Sequence, residues 1–373
     1  MISSTGPCSL WLPHYWKFIL LVIFLLPLFF FLFESYWPVQ QHLDVPLSPH
    51  EKLDVDKAHV DSIPHYDRNN LTVNLVMATL LGDDISWTEN IDIPNLNIIR
   101  YVSDDMEAQY HPPVPHKGRE ALIYHTYMHD FYDNLPDITI FTHADDSSWH
   151  VDTVLNSSMA FSLSHLDLHQ VLQRQYFNLR VSWDSGCPDW INTTRPPGES
   201  DRKEEPYMRE AFTENFNTYE VPEILGGPCC SQFAVSRDAV KRHPQSQYRR
   251  NMDWLVMTDW TDFISGRVWE HMWPWLFKGE SVDCAVEWKA YCRMYHICFD
   301  SESRNRVTSL EREKKKLKKE GFLDELLDLL GGHRTQRRLE EIDAIVAAEV
   351  EVALERGKSE AVRMELLSDL YTS

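Results

Sequence analysis

Between His116 and His150 the chain reads HKGREALIYHTYMHDFYDNLPDITIFTHADDSSWH. Ionisable side chains crowd around one short apolar run, and Asp145-Asp146 follows that run with His143 before it and His150 after. Carboxylates at a strand end, with imidazoles beside them, form a donor set for a divalent metal such as Mn or Mg. Lys117 and Arg119 flank Gly118 at the start of a helical stretch. Amides at such a start already favour anions, which makes both cations candidates for a phosphate contact. Glu120 adjoins them as a further substrate-binding candidate. Much later in the chain, Glu270 is the candidate general base. Trp149 is a candidate platform for a ring-shaped ligand. Each of these residues also has a plainer use. Acids form turns, histidines make structural hydrogen bonds, cations pair with nearby acids, and tryptophans fill cores.

The elements that must position these groups follow from periodicity. Residues 74–81, 97–102 and 137–142 are short apolar runs that suit strands buried on both faces. They run into Asp83-Asp84, Asp104-Asp105 and Asp145-Asp146. A helix is expected over about 118–133, where Tyr124, Tyr127, Met128 and Phe131 share one face. The order strand, connection, strand, helix, strand predicts an α/β domain with a mostly parallel sheet flanked by helices. Ligands of such sheets bind beyond the carboxyl ends of the strands. In a parallel sheet the three acidic pairs, Asp104 included, therefore collect on one edge. Downstream, 164–178 reads as helix, 199–212 as a charged surface segment and 232–235 as a short strand. Residues 237–242 and 244–262 read as helices, and 265–277 is very aromatic.

The N-terminal region sets the compartment. Phe18 to Phe33 is unbroken apolar sequence, with Trp16, Tyr36 and Trp37 at its flanks. With these aromatics it reaches about 20 residues, enough for one membrane span. No small-residue cleavage site follows, so an uncleaved anchor is expected. Lys17 before the span places the short N-terminus in the cytosol and the rest in a lumen. Acceptor triplets begin at Asn70, Asn156 and Asn192, all after the span. Six cysteines also follow it, an even number that suits disulfides. Adjacent Cys229 and Cys230 are expected to take different partners, and Cys284, Cys292 and Cys298 to staple a local loop.

The expected organisation is a cytosolic N-terminus (1–15), a transmembrane anchor (16–37), a Pro-bearing stem (38–72), a lumenal α/β domain (73–300) and a charged helical tail (303–373). In the tail, Leu323, Leu326, Leu327 and Leu330 form a narrow stripe. Residues 306–357 offer a helix-mediated protein contact. The formal charge of −21 argues against nucleic-acid binding.

Several stretches together resemble a fungal family of unknown function. They are His116-Lys117-Gly118-Arg119-Glu120-Ala121, Leu135-Pro136-Asp137, Phe141-Thr142-His143 and Trp149-His150. Later come Cys229-Cys230-Ser231-Gln232-Phe233-Ala234-Val235-Ser236 and Ser265-Gly266-Arg267-Val268-Trp269-Glu270. The likeness covers about residues 73 to 300. His116, Val151 and Pro274 depart from the family pattern. The resemblance implies a membrane-anchored protein of the secretory route, in a Golgi or similar membrane, with an architecture similar to A-type nucleotide-sugar glycosyltransferases. On that basis a type II glycosyltransferase-like enzyme is expected, with a nucleotide sugar and a glycan acceptor as partners. The alternatives are a non-catalytic lumenal module that binds glycan or protein and, more distantly, a metal-dependent hydrolase using His143 and His150.

Overall fold

The structure is a computed structural model that describes residues 70–328 and 334–368, with side-chain packing over 70–318 and 335–364. The predicted N-terminus, the anchor and all but the end of the stem lie outside the described residues. Among the described residues, no helix is long and apolar enough to cross a membrane.

The strands are β1 (Val73–Thr79), β2 (Leu96–Val102), β3 (Ile138–His143), β4 (Tyr176–Asn178), β5 (Ile191–Asn192), β6 (Ile224–Leu225) and β7 (Phe233–Ser236). The main sheet has the order β2-β1-β3-β7-β4. β2, β1 and β3 are parallel, with Thr79 opposite Val102 and Ala78 opposite His143. β7 runs antiparallel to β3, and β4 antiparallel to β7. The carboxyl ends of β1, β2, β3 and β4 therefore share one edge with the start of β7. β5 and β6 form a separate small ribbon.

The helices are α1 (Glu120–Asp130), α2 (Met159–His165), α3 (Leu168–Arg174), α4 (Met208–Phe216), α5 (Arg237–Lys241) and α6 (Gln245–Met257). They continue with α7 (Asp262–Glu270), α8 (Trp273–Lys278), α9 (Glu287–Tyr295), α10 (Ser301–Asp328), α11 (Arg334–Gly357) and α12 (Glu360–Ser368). Strand side chains alternate between the two faces of the sheet. Val76, Phe141, Tyr176, Phe233 and Val235 enter one core with α1, α6, α7 and α8. Leu75, Met77, Ile140, Phe177 and Ala234 enter the other, which α2, α3, α9 and α11 cover. α1 is wrapped by its core rather than faced to it, since every residue from Ala121 to Met128 is buried.

Three expectations need correction. Residues 164–178 are not one helix. Asp167 accepts from the amides of His169 and Gln170, which caps a new helix, and Gln175 at φ 69° releases the chain into β4. The segment 199–212 is not merely surface, because Glu204 and Glu205 are buried and Met208, Ala211 and Phe212 of α4 enter the core. Cys229 and Cys230 pair with each other, not with separate partners, while Cys187 pairs with Cys284 and Cys292 with Cys298. The tail is helical, as expected, and it packs onto the domain. Ile342, Val346, Val350 and Ala353 of α11 are completely buried in the second core together with Val307 of α10. At the end of α11, Gly357 passes so close to His296 that a Cβ there would lie 1.7 Å from its carbonyl oxygen. The leucine stripe at 323–330 falls where side chains are not described.

Candidate active site

Two sequence-distant segments meet at the carboxyl edge of the sheet. The loop before α1 brings Gly118 and Arg119 there in left-handed backbone, at φ 70° and 51°. A Cβ on Gly118 would lie 2.3 Å from the Leu255 side chain of α6, and this contact together with φ 70° favours glycine at this turn. α7 packs onto the same turn through Gly266, where a Cβ would be 3.2 Å from the Gly118 carbonyl. At the start of α7, Asp262 accepts from the Arg119 amide at 3.1 Å, and its other oxygen lies 3.6 Å from the Arg119 Nε. The Arg119 guanidinium lies 5.4 Å from the ring centre of Phe263 and keeps 47% of its side chain exposed.

This packing places Glu120 and Glu270 in electrostatic contact. Burial, then the negative charge of Glu120, lifts the Glu270 carboxyl from 4.5 to about 7. Arg267 and Arg119 pull the other way, and Glu204 adds to the rise. Burial also raises Glu120, opposed by its own amide, the Ser231 hydroxyl and Arg119. The negative charge of Glu120 thus favours the protonated form of Glu270 beyond what burial alone does. Ser231 comes from the start of β7 and accepts from Trp273 Nε1 at 3.0 Å.

Behind Glu270 lies a buried ion cluster. Glu204 is 1% exposed and accepts from Arg267 at 3.0 Å, with His271 Nε2 at 3.2 Å. Despite the cost of burial, the hydrogen bonds from His271 and Arg267 hold its pKa down at about 2. Glu204, Arg267, Ser231 and Asp262 were absent from the sequence-based site. Glu204 lies in a run of charges that looks like surface, and nothing in its spacing signals burial.

At the end of β3, His143 donates its amide to Gln232 Oε1 at 3.1 Å, and its Nδ1 lies 3.2 Å from His150 Nδ1. Burial lowers both imidazoles to about 4, with Arg119 adding to the drop at His143 and Arg180 at His150. At neutral pH they form an uncharged pair in which one ring donates and the other accepts. His143 Nε2 is buried without a hydrogen-bond partner among the described residues.

The strand-end acids divide sharply. Asp83, Asp84, Asp104 and Asp105 accept from the amides of Leu80, Ser86, Leu81 and Glu107, so they shape turns. Asp146 Oδ1 accepts from Ser158 Oγ at 3.0 Å and from the Ala160 amide at 2.8 Å, which organises the start of α2. Asp145 is exposed and has no such role; its charge is felt at His143 and His150. The four predicted metal ligands thus do not assemble as a set. Among the described residues, no three His, Cys, Asp or Glu side chains are grouped to hold a metal. Lys117 donates to the Thr258 carbonyl and so serves the α6–α7 connection.

Trp149 stands on the loop after β3 and is 68% exposed. Arg180, just beyond β4, lies beneath it with Cζ 5.6 Å from the ring centre. Arg119, Glu120, His143, Asp145, Ser231 and Glu270 therefore gather on one edge, with Trp149 beside them. Asp104 and Lys117 have separate structural roles.

The fold and site define an α/β protein with an open, mostly parallel sheet and a paired-carboxyl centre at its carboxyl edge. The chain belongs to a protein family of unknown function, DUF3431, whose shared pattern matches residues 75–293. Neither a curated protein nor a solved structure matches it.

Proposed function

We propose that the chain is a glycosyltransferase-like enzyme that moves a sugar from a nucleotide donor to a hydroxyl acceptor. One observation carries this reading. The Glu120–Glu270 pair is built from two distant segments at the sheet edge where α/β folds bind ligands, and Glu270 has proton affinity near neutral pH. Glu270 takes the proton of the acceptor hydroxyl as that oxygen forms its bond to the anomeric carbon. The bond from that carbon to the phosphate oxygen breaks, and the nucleoside diphosphate departs. The half-exposed Arg119 guanidinium supplies positive charge beside the leaving group. No step of this scheme is routed through a metal ion.

A secretory setting is part of the proposal. Three disulfides suit an oxidising lumen. Asn70 and Asn156 are exposed and open to glycosylation. The apolar segment 18–33 would tether the domain as a type II anchor to a Golgi or similar membrane.

The test is a thermal-shift panel of nucleotide sugars on the full-length chain, with and without manganese, followed by turnover assays. One donor should raise the melting temperature, and Glu270→Gln should keep donor binding while losing turnover. Flat melting curves across all donors would end the transferase reading.

A further inference from the structure

We infer that Trp149 is the stacking platform of a carbohydrate subsite whose occupant is a neutral pyranose of a glycan chain. This deepens the transferase reading and rests on it for the role of acceptor. Among the described residues, Trp149 is the one tryptophan left mostly exposed. A single exposed indole is ordinary. The unusual feature is the seat beneath it.

Arg180 is 9% exposed, and its Nε lies 3.3 Å from Asp152 Oδ1. The other oxygen of Asp152 accepts from the amides of Val181 and Ser182 at 2.7 and 3.0 Å and from Tyr291 Oη at 2.9 Å. Arg180 Nη1 lies 3.0 Å from Cys229 Sγ and 3.5 Å from Cys230 Sγ. It also donates to the Trp149 carbonyl at 3.4 Å. A buried guanidinium fixed on these sides and the His150 ring both lie against the indole, while most of Trp149 stays exposed. The loop is braced as well, since Ser147 Oγ donates to the Ser157 carbonyl and the amides of His150 and Val151 bond to Ser148. A rigid aromatic loses little conformational entropy on binding.

The surroundings select the occupant. His150 lies 4.2 Å from the indole, ring centre to ring centre, and Asp145 is within electrostatic reach of His150. Ser147 and Ser148 complete a polar border. A lipid or protein partner would need a contiguous apolar patch, which this border interrupts. An anionic ligand would meet the free carboxylate of Asp145. A pyranose offers one C–H face for the indole and equatorial hydroxyls for Asp145, Ser148 and His150, so it fits both the ring and the rim.

The experiment titrates the full-length chain with mannotetraose, laminaritetraose, cellotetraose and uridine diphosphate, following the indole NMR resonances and binding heat. Wild type, Trp149→Ala and Trp149→Phe are compared. At least one neutral oligosaccharide should bind. Trp149→Ala should weaken it about tenfold, the equivalent of about 1.4 kcal/mol, and Trp149→Phe should restore part of that loss. Melting temperature and uridine diphosphate binding should be unchanged in Trp149→Ala. The inference falls if no oligosaccharide binds, if Trp149→Ala binds as well as wild type, or if Trp149→Ala instead loses the nucleotide. Oligosaccharide binding through Trp149 with no donor binding would sink the transferase reading and leave the platform standing. Donor turnover without a Trp149 effect would do the reverse.

Discussion

Glu270→Gln probes the paired-carboxyl centre without any knowledge of substrate. The Glu270 carboxyl ionises near pH 7 in the folded chain, against 4.5 for an ordinary glutamate. Below pH 4.5 it is protonated whether folded or unfolded, so its burial carries no ionisation penalty. As pH rises from 4.5 towards 7, the unfolded chain releases the proton while the folded chain retains it, and stability falls. Above pH 7 both states are ionised and the loss levels off. At about 1.4 kcal/mol per pH unit, the plateau is roughly 3 kcal/mol. Glutamine has the same shape and no charge. The variant should therefore match wild type near pH 4.5 and exceed it by about 3 kcal/mol at pH 8, a figure that already includes the attraction of Arg267 and Arg119. Denaturant unfolding of both proteins across this pH range reads the difference directly, and titration elsewhere in the molecule cancels. Glu120→Gln should lower the Glu270 pKa by removing the like charge. Parallel stability curves, or a wild type that gains on the variant above pH 6, would refute the paired centre.

Two further expectations follow from buried charges and bridges. Glu204→Gln should destabilise the fold by about 3–5 kcal/mol at neutral pH, because it leaves Arg267 and His271 beside an uncharged group. With a folded pKa of about 2, the contribution of Glu204 is present above pH 4.5 and lost as pH falls towards 2, so unfolding titrations should show the gap closing in acid. Non-reducing peptide mapping should recover Cys229 and Cys230 bridged within one peptide and a Cys187–Cys284 cross-link. Replacing the latter pair, which closes a 97-residue separation, should cost about 4 kcal/mol in denaturant unfolding.

The first three strands and α1 were legible because each obeys a local rule. Apolar runs of strand length end in turn acids, and Tyr124, Tyr127 and Met128 recur at helical spacing. β4 was hidden because Tyr176-Phe177-Asn178 continues an apparent helix, and only pairing with β7 makes it a strand. At the site, Arg119, Glu120 and Glu270 could be picked by residue type, and the structure brings them together. The metal set could not be judged from type alone. Asp146 has the right chemistry, but its Oδ1 is occupied by the Ala160 amide and the Ser158 hydroxyl, partners that no sequence rule identifies. Ser231 and Glu204 owe their places to tertiary packing, which leaves no periodic trace.

The family match ends at residue 293, and the fold does not. α11 buries Ile342, Val346, Val350 and Ala353 against the second core, and the Cys298 amide bonds to the Ala353 carbonyl at 3.1 Å. The two helices are latched by Arg338 on Glu313 at 2.7 and 3.0 Å and by Arg306 on Glu349 at 2.9 Å. At about 1.5–3 kcal/mol per buried aliphatic side chain, Ile342, Val346 and Val350 alone contribute roughly 5–9 kcal/mol. That rivals the whole stability of a typical domain, about 5–15 kcal/mol. A chain truncated after Asp300 should therefore fail to fold, which soluble yield and dye binding to exposed apolar surface would report. Arg306→Ala, which removes a surface latch, should cost no more than about 1 kcal/mol. A truncated chain that melts cooperatively near the full-length temperature would show that α10 and α11 are dispensable. As packed, they are part of what keeps β1, β3 and β7 dry on one face, and so part of what holds the carboxyl edge in register.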